Sequence, residues 1–243
     1  MSPVRWLRAV AVIGATALLM ASSCSWQLGI PIPDGVPPPA GDPVPAIDTY
    51  AKGRPADQLH EWALERAPRL ELPVNALEAY AYAARVAQVE NPNCNVAWTT
   101  LAGIGMVESH HGTYRGAMIA PNGDVTPPIR GVQLDGTAGN MLIADTDGGR
   151  LDGDPHLDRA MGPMQFIPET WGHFGVDANN DGKVNPDNFD DAALSAAGVL
   201  CWYGKDLSTP RGWMNALKAY NYSEQYARVV RDWATAYAEG HPL

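Results

Sequence analysis

The sequence predicts a mainly α-helical protein, a single helical domain with long ordered loops and at most a short β-hairpin. Three observations predict it. Apolar residues recur at helical spacing in several segments between residues 75 and 237. Strand-like alternation is nearly absent, with one candidate hairpin formed by 129–134 and 141–143. From residue 47 onward the composition is that of a globular chain, and a domain of about 200 residues can bury a full core.

Residues 1–24 have the layout of a secretory signal: Arg5 and Arg8, an uncharged apolar stretch over 9–20, then small residues up to Cys24. The apolar stretch is too short to span a bilayer comfortably. Ala21-Ser22-Ser23-Cys24 is similar to a bacterial lipoprotein processing site, with Ala21 where Leu is usual. Cys24 is therefore either lipidated, which would anchor the chain to a membrane, or lost with an ordinary signal peptide. Both readings place the protein in the cell envelope or outside the cell. Residues 25–46 form a linker in which Pro31, Pro33, Pro37, Pro38, Pro39, Pro43 and Pro45 favour an extended tether over a packed element. The domain occupies 47–243.

Within it, Leu77, Tyr80, Ala81, Ala84 and Ala87 mark an amphipathic helix over 75–90, stopped by Asn91-Pro92. A second helix over 95–109 sets Leu101, Ile104, Gly105 and Glu108 on one face, and Gly112 offers its stop. The stretch 113–190 is rich in Gly, Asp, Asn and Pro, broken by an apolar segment over 161–171; an ordered loop region of that length is usually functional. Helical spacing returns with Leu194, Ala197, Gly198 and Cys201, behind the acidic pair Asp190-Asp191 and before Gly204. Trp213, Leu217 and Tyr220 mark another helix. A last one follows Ser223, with Tyr226, Val229, Val230, Trp233, Ala234 and Tyr237 on one face.

A formal net charge of -10 leaves no electrostatic footprint for nucleic acid. An acidic polymer would have to be recognised by a shaped cleft rather than by charge. With Cys24 set aside, Cys94 and Cys201 remain, and in an oxidising compartment such a pair tends to bond.

Glu108 is the leading candidate for chemistry. An apolar helix face desolvates its carboxylate, and a helix C-terminus is the negative end of the dipole, so both raise its pKa. A carboxyl kept protonated near neutrality is what general-acid cleavage of a glycosidic bond requires, as lysozyme illustrates. On periodicity alone, a helix-end glutamate with no chemical role fits better.

Three further pieces carry a resemblance. Val107-Glu108-Ser109-His110-His111-Gly112, then Gly162-Pro163-Met164-Gln165-Phe166-Ile167-Pro168 with Trp171, then Ala219-Tyr220-Asn221 are similar, in that order, to the membrane-bound lytic transglycosylase B family, actinobacterial type. The similarity runs over about 72–237. It implies an α+β lysozyme-like fold acting on peptidoglycan glycan strands. Glu108 would protonate the oxygen bridging N-acetylmuramic acid and N-acetylglucosamine, then take a proton from the muramic C6 hydroxyl as that attacks C1. Gln165 would bond the sugar, Tyr220 and Asn221 would hold the acid and the acetamido group, and Ser109 would face the same cleft. Met164, Phe166 and Trp171 read as core. The loop acids Asp124, Asp135, Asp145, Asp147, Asp152, Asp154 and Asp158 read as solvated or metal-binding groups, and His110 and His111 as loop or subsite residues, since further zinc ligands do not appear at useful spacing.

The run 177–185 matches the first half of an EF-hand loop: Asp177, Asn179 and Asp181 at positions 1, 3 and 5, Gly182 at 6, and the Lys183 carbonyl at 7. Position 12 is Asn188, not Glu. The resemblance implies a lengthened loop closed by Asp191, with Asp190 the alternative, holding a structural Ca2+. A monomer is expected. Two other functions fit the same residues: a muramidase in which water completes the cleavage, and a non-catalytic, calcium-stabilised glycan-binding envelope protein.

Overall fold

The computed structural model describes residues 36–137 and 139–243. The signal over 1–24, the candidate lipidation site Cys24 and the linker up to residue 35 lie outside the described residues. Seven helices follow in chain order: α1 His60–Leu70, α2 Val74–Glu90, α3 Trp98–Ser109, α4 Pro168–Phe174, α5 Phe189–Gly204, α6 Pro210–Tyr220 and α7 Glu224–Glu239. Between α3 and α4 lie β1 Met118–Ile119 with β2 Val125–Thr126, and β3 Arg130–Gln133 with β4 Arg159–Met161, both pairs antiparallel. The chain is thus mainly α with small antiparallel strand pairs, consistent with a lysozyme-like α+β fold.

The core lies where α5 packs between α2 and α6 and where α3 runs along α7. Two expected amphipathic helices are buried on nearly every side instead. All of 76–84 in α2 and 98–105 in α3 is buried, as befits helices that are apolar or small all round. Glycines permit the close approach in α3. A Cβ on Gly103 would lie 2.6 Å from Val230 O of α7, and one on Gly105 would collide with the Tyr80 hydroxyl of α2.

Cys94 and Cys201 are disulfide-bonded, with Cα atoms 5.2 Å apart, tying the segment before α3 to α5. Near the start of the domain, Arg54 donates to both oxygens of Asp190 at 2.7 and 2.9 Å and also bonds Glu78, clamping the entry segment onto α2 and α5. The described part of the proline-rich stretch, 36–46, has no regular secondary structure but is bonded to the helices. Carbonyls of Pro39, Asp42 and Pro43 accept from Thr99, Trp98 and Trp62, and the Asp42 carboxylate pairs with Arg66 and Arg69.

Two elements depart from the sequence reading. Helix α1 was not anticipated: Trp62, Ala63, Ala67 and Leu70 do recur at helical spacing, but Pro68 inside the last turn disguises the pattern. The 129–134 segment takes its partner strand from 159–161; Leu142 makes one isolated bridge, to Asp135. The apolar segment 161–171 is divided between β4, a tight turn and α4, which starts with Pro168 at its first position.

Candidate active site

Glu108 is the penultimate residue of α3, and the way the helix ends fixes where its carboxylate stands. His110, His111 and Gly112 take φ of 50°, 56° and 74°, three consecutive left-handed residues. His111 N–H bonds Gly105 O at 2.9 Å and His110 N–H bonds Met106 O at 3.0 Å, so carbonyls of the last turns are satisfied as the chain leaves the helix. A non-glycine residue in this region is disfavoured, so tertiary contacts must hold it. For His111 they are evident: Nδ1 lies 3.1 Å from Tyr80 Oη and Nε2 lies 2.8 Å from Tyr237 Oη. Burial pushes its pKa down to about 3. The expectation of a loop or subsite role is therefore corrected for His111, a neutral core residue joining α2, α3 and α7; His110 is exposed.

Glu108 is 8 % exposed. Tyr226 Oη donates to Oε1 at 2.6 Å, and Oε2 is buried with no hydrogen-bond partner. Burial pushes the pKa up to about 8, against the lowering effect of the Tyr226 hydrogen bond. Loss of water, one of the two effects read from the sequence, is the largest cause. Among the described residues, Tyr226 is the side chain that, beside burial, perturbs Glu108.

Tyr226 is placed by the turn between α6 and α7. Asn221 ends α6, and its Oδ1 accepts from Ser223 N–H at 3.1 Å; Ser223 Oγ then caps α7 by accepting from Tyr226 N–H at 3.2 Å. Asn221 thus reaches Glu108 through Ser223 and Tyr226. Sequence reasoning placed Tyr226 only on a helix face. The available signal was its position in the first turn of the helix entered from Tyr220-Asn221.

Opposite stands the turn over 162–166. Met161 and Phe166 exchange two backbone hydrogen bonds, at 2.8 and 2.9 Å, and the reversal is made by Gly162 at φ 70° and Gln165 at φ 50°. Gly162 is required here, because a Cβ would collide with Pro186 O. Two hydroxyls stitch the turn to the helices: Ser109 Oγ donates to Pro163 O at 2.6 Å, and Tyr220 Oη donates to Met164 O at 2.8 Å. Ser109 Oγ also accepts from Gly112 N–H at 2.7 Å, so its hydroxyl is engaged with backbone on both sides. Gln165 is 5 % exposed; its Nε2 donates to Gly162 O at 2.8 Å, and its Oε1 faces Gly131 of β3. Met164, Phe166 and Trp171 are core, with Phe166 edge-on to both Trp171 and Tyr220.

Most of the loop acids between β3 and β4 accept from backbone amides, and Asp154 also pairs with Arg159 and accepts from Gln133 Nε2. Asp145 accepts from the amides of 147–149, Asp147 from Arg150 and Leu151, Asp152 from Arg159, and Asp158 from the amide and hydroxyl of Thr146. Oxygens of Asp145, Asp147 and Asp158 lie within 4.8 Å of one another.

In the loop after α4, Asn180 and Gly182 are left-handed, with φ 58° and 84°. Asp177 accepts from Asp181 and Gly182 amides, Asn179 from Asp181, and Asp181 from Lys183, so the loop orients its own oxygens. Asn188 is the N-cap of α5, accepting from Asp190 and Asp191 amides, and Asp190 is turned to Arg54. Asp191 is turned into the loop, accepting from Ala178 and Asn185 amides at 2.7 and 2.9 Å. It is buried with its pKa pushed up to about 7, first by burial and also by the negative charge of Asp177. Oxygen is the donor type that a hard divalent cation takes, but among the described residues Asp177, Asp181 and Asp191 do not form a group with oxygens within 4.8 Å of one another, as Asp145, Asp147 and Asp158 do.

Comparison with known proteins gives one family match: residues 158–213 match the model described as Transglycosylase SLT domain. The match covers the 162–166 turn, α4, the 177–191 loop, α5 and the start of α6, but not Glu108 or Tyr226. Neither the curated proteins nor the solved structures hold a match. Over 158–213 the chain is similar to the lytic transglycosylases of the lysozyme-like superfamily, which supports a lytic enzyme acting on the glycan of peptidoglycan.

Proposed function

We propose that the protein is a lytic transglycosylase that cleaves the β-1,4 bond between N-acetylmuramic acid and N-acetylglucosamine, leaving 1,6-anhydro-muramic ends. The observation that carries this reading is the Glu108 carboxyl, protonated up to about pH 8, with one oxygen held by Tyr226 and the other unpartnered. Oε2 carries the proton and delivers it to the bridging oxygen as the C1–O bond breaks. The carboxylate so formed is stabilised by the Tyr226 hydroxyl. It then accepts the proton of the muramic C6 hydroxyl as O6 bonds to C1. Protons balance, and water is not consumed. In between, the acetamido oxygen bonds to C1 as the leaving oxygen departs, and that bond breaks as O6 takes its place.

In this reading Asn221 and Tyr220 position the acid and the 162–166 turn, and Gln165 shapes the sugar site from that turn. A Ca2+ held by Asp177, Asn179, Asp181, the Lys183 carbonyl and Asp191 braces the loop that leads into α5, supplying structure and no chemistry. The protein is exported to the cell envelope, works as a monomer and remodels peptidoglycan.

Mass spectrometry of the products from purified peptidoglycan tests the reading. Anhydro-muramic ends are expected. Reducing muramic ends would replace it with a muramidase.

A further inference from the structure

A cavity of about 920 Å³ is bordered by the Thr49–Tyr50 segment, the end of α2, the end of α4 and one side of α5. None of Glu108, Tyr226, Gln165, Tyr220 or Asn221 borders it. Its size is at the upper end of the roughly 300–1,000 Å³ typical of small-molecule sites.

Two aromatic rings stand at its rim, and both are exposed to a degree unusual for their size: Tyr50 at 72 % and Trp202 at 62 %. Each is nevertheless held in place. Tyr50 Oη donates to Glu90 Oε1 at 3.0 Å, and the backbone beside it is fixed by Tyr82 Oη donating to Thr49 O at 3.1 Å. The Lys205 ammonium sits 4.7 Å from the centre of the Trp202 ring. The following wall is also tied down, since Asn180 Nδ2 donates to Ala51 O and Gly53 O. The floor is small and apolar, including Val86, Ala87 and Ala197, while Asn91, Asn93 and His173 offer hydrogen-bonding groups around it.

We propose that this cavity is a second saccharide-binding site, which holds the glycan strand at a distance from Glu108. Fixed, exposed rings beside an apolar floor suit the C–H faces of pyranose rings, and the surrounding amides suit hydroxyl and acetamido groups. An amphipathic helix would instead call for a continuous apolar groove, which the amide and carboxylate groups interrupt. The side chains carry both signs, Glu90 and Asp177 against Lys205, so a neutral sugar is accepted without a strong charge requirement. The choice of a glycan as ligand rests on the peptidoglycan reading above.

The test uses Glu108→Gln protein, so that no substrate is consumed. The indole N–H signal of Trp202, identified by its loss in Trp202→Phe, is followed by nuclear magnetic resonance during titration with tetra-N-acetylchitotetraose. Affinity for purified sacculi is measured by co-sedimentation with and without Trp202→Ala. The signal is expected to shift saturably, and Trp202→Ala to weaken sacculus binding by about fivefold or more. A Trp202 signal that ignores the sugar, or that answers only to soluble stem peptide, would overturn the proposal, as would unchanged sacculus affinity. If wild-type protein releases no muropeptides while the Trp202 signal still responds to the sugar, the catalytic reading fails and the second site stands.

Discussion

Tyr226 Oη of α7 meets Glu108 Oε1 of α3 at 2.6 Å, while Glu108 Oε2 is left buried and unpartnered among the described residues. The two oxygens are therefore inequivalent. Burial keeps the proton on, the phenol favours its departure, and the balance at about 8 is suited to a group that must give up a proton and later retrieve one.

Activity should fall on the alkaline side with a midpoint near 8, where Glu108 loses its proton. Tyr226→Phe removes the one hydrogen bond that lowers this pKa, so the alkaline limb of its rate profile should move upward. Its rate on sacculi should drop by roughly ten- to a hundredfold, the range for a hydrogen bond to a charged group. A profile that stays in place would separate Tyr226 from the acid.

Stability should report the same shift. Because the folded pKa lies above the ordinary 4.5, the unfolded chain ionises first, and rising pH between 4.5 and about 8 favours unfolding. Glu108→Gln should match the wild type in acid and gain on it through that window, by on the order of a few kcal/mol above it. Thermal melts of both proteins across the range would show the divergence.

The Cys94–Cys201 bond closes a loop of 107 residues. Reduction, or the Cys94→Ser/Cys201→Ser pair, should lower stability by about 3 to 5 kcal/mol in the chain-entropy account. Urea unfolding with and without reductant measures it.

For the proposed cation, added Ca2+ should raise Tm by an amount that grows with concentration, as binding to the folded form alone requires. Asp181→Ala should abolish that rise without altering the Glu108 pH profile. Calorimetry with Ca2+ and with a chelator distinguishes the cases.

How much of this was legible beforehand differs by element. Helix α7 was readable because its polar and apolar faces alternate with helical period, from Ser223 as cap to Gly240 as stop. Helix α1 was obscured by Pro68, and the burial of α2 and α3 on all sides follows from packing against α5 and α7, which local spacing does not encode. At the site, Glu108 and the Gly162–Gln165 turn could be found in sequence because each is a local arrangement. Tyr226 and His111 could not: their roles arise across separations of 118 and 126 residues, to Glu108 and Tyr237, and only the folded chain brings those partners together. The strand paired with 130–133 was misplaced for the same reason, since the intervening loop is held by aspartate-to-amide bonds rather than by apolar alternation.

The central claim is that one carboxyl, Glu108, serves as both acid and base. Its most direct test is the rate of sacculus solubilisation by Glu108→Gln, with folding checked by thermal melting. A loss of at least about a thousandfold with an intact fold is expected for removal of a proton donor that has no substitute. Solubilisation within about tenfold of wild type would contradict the account.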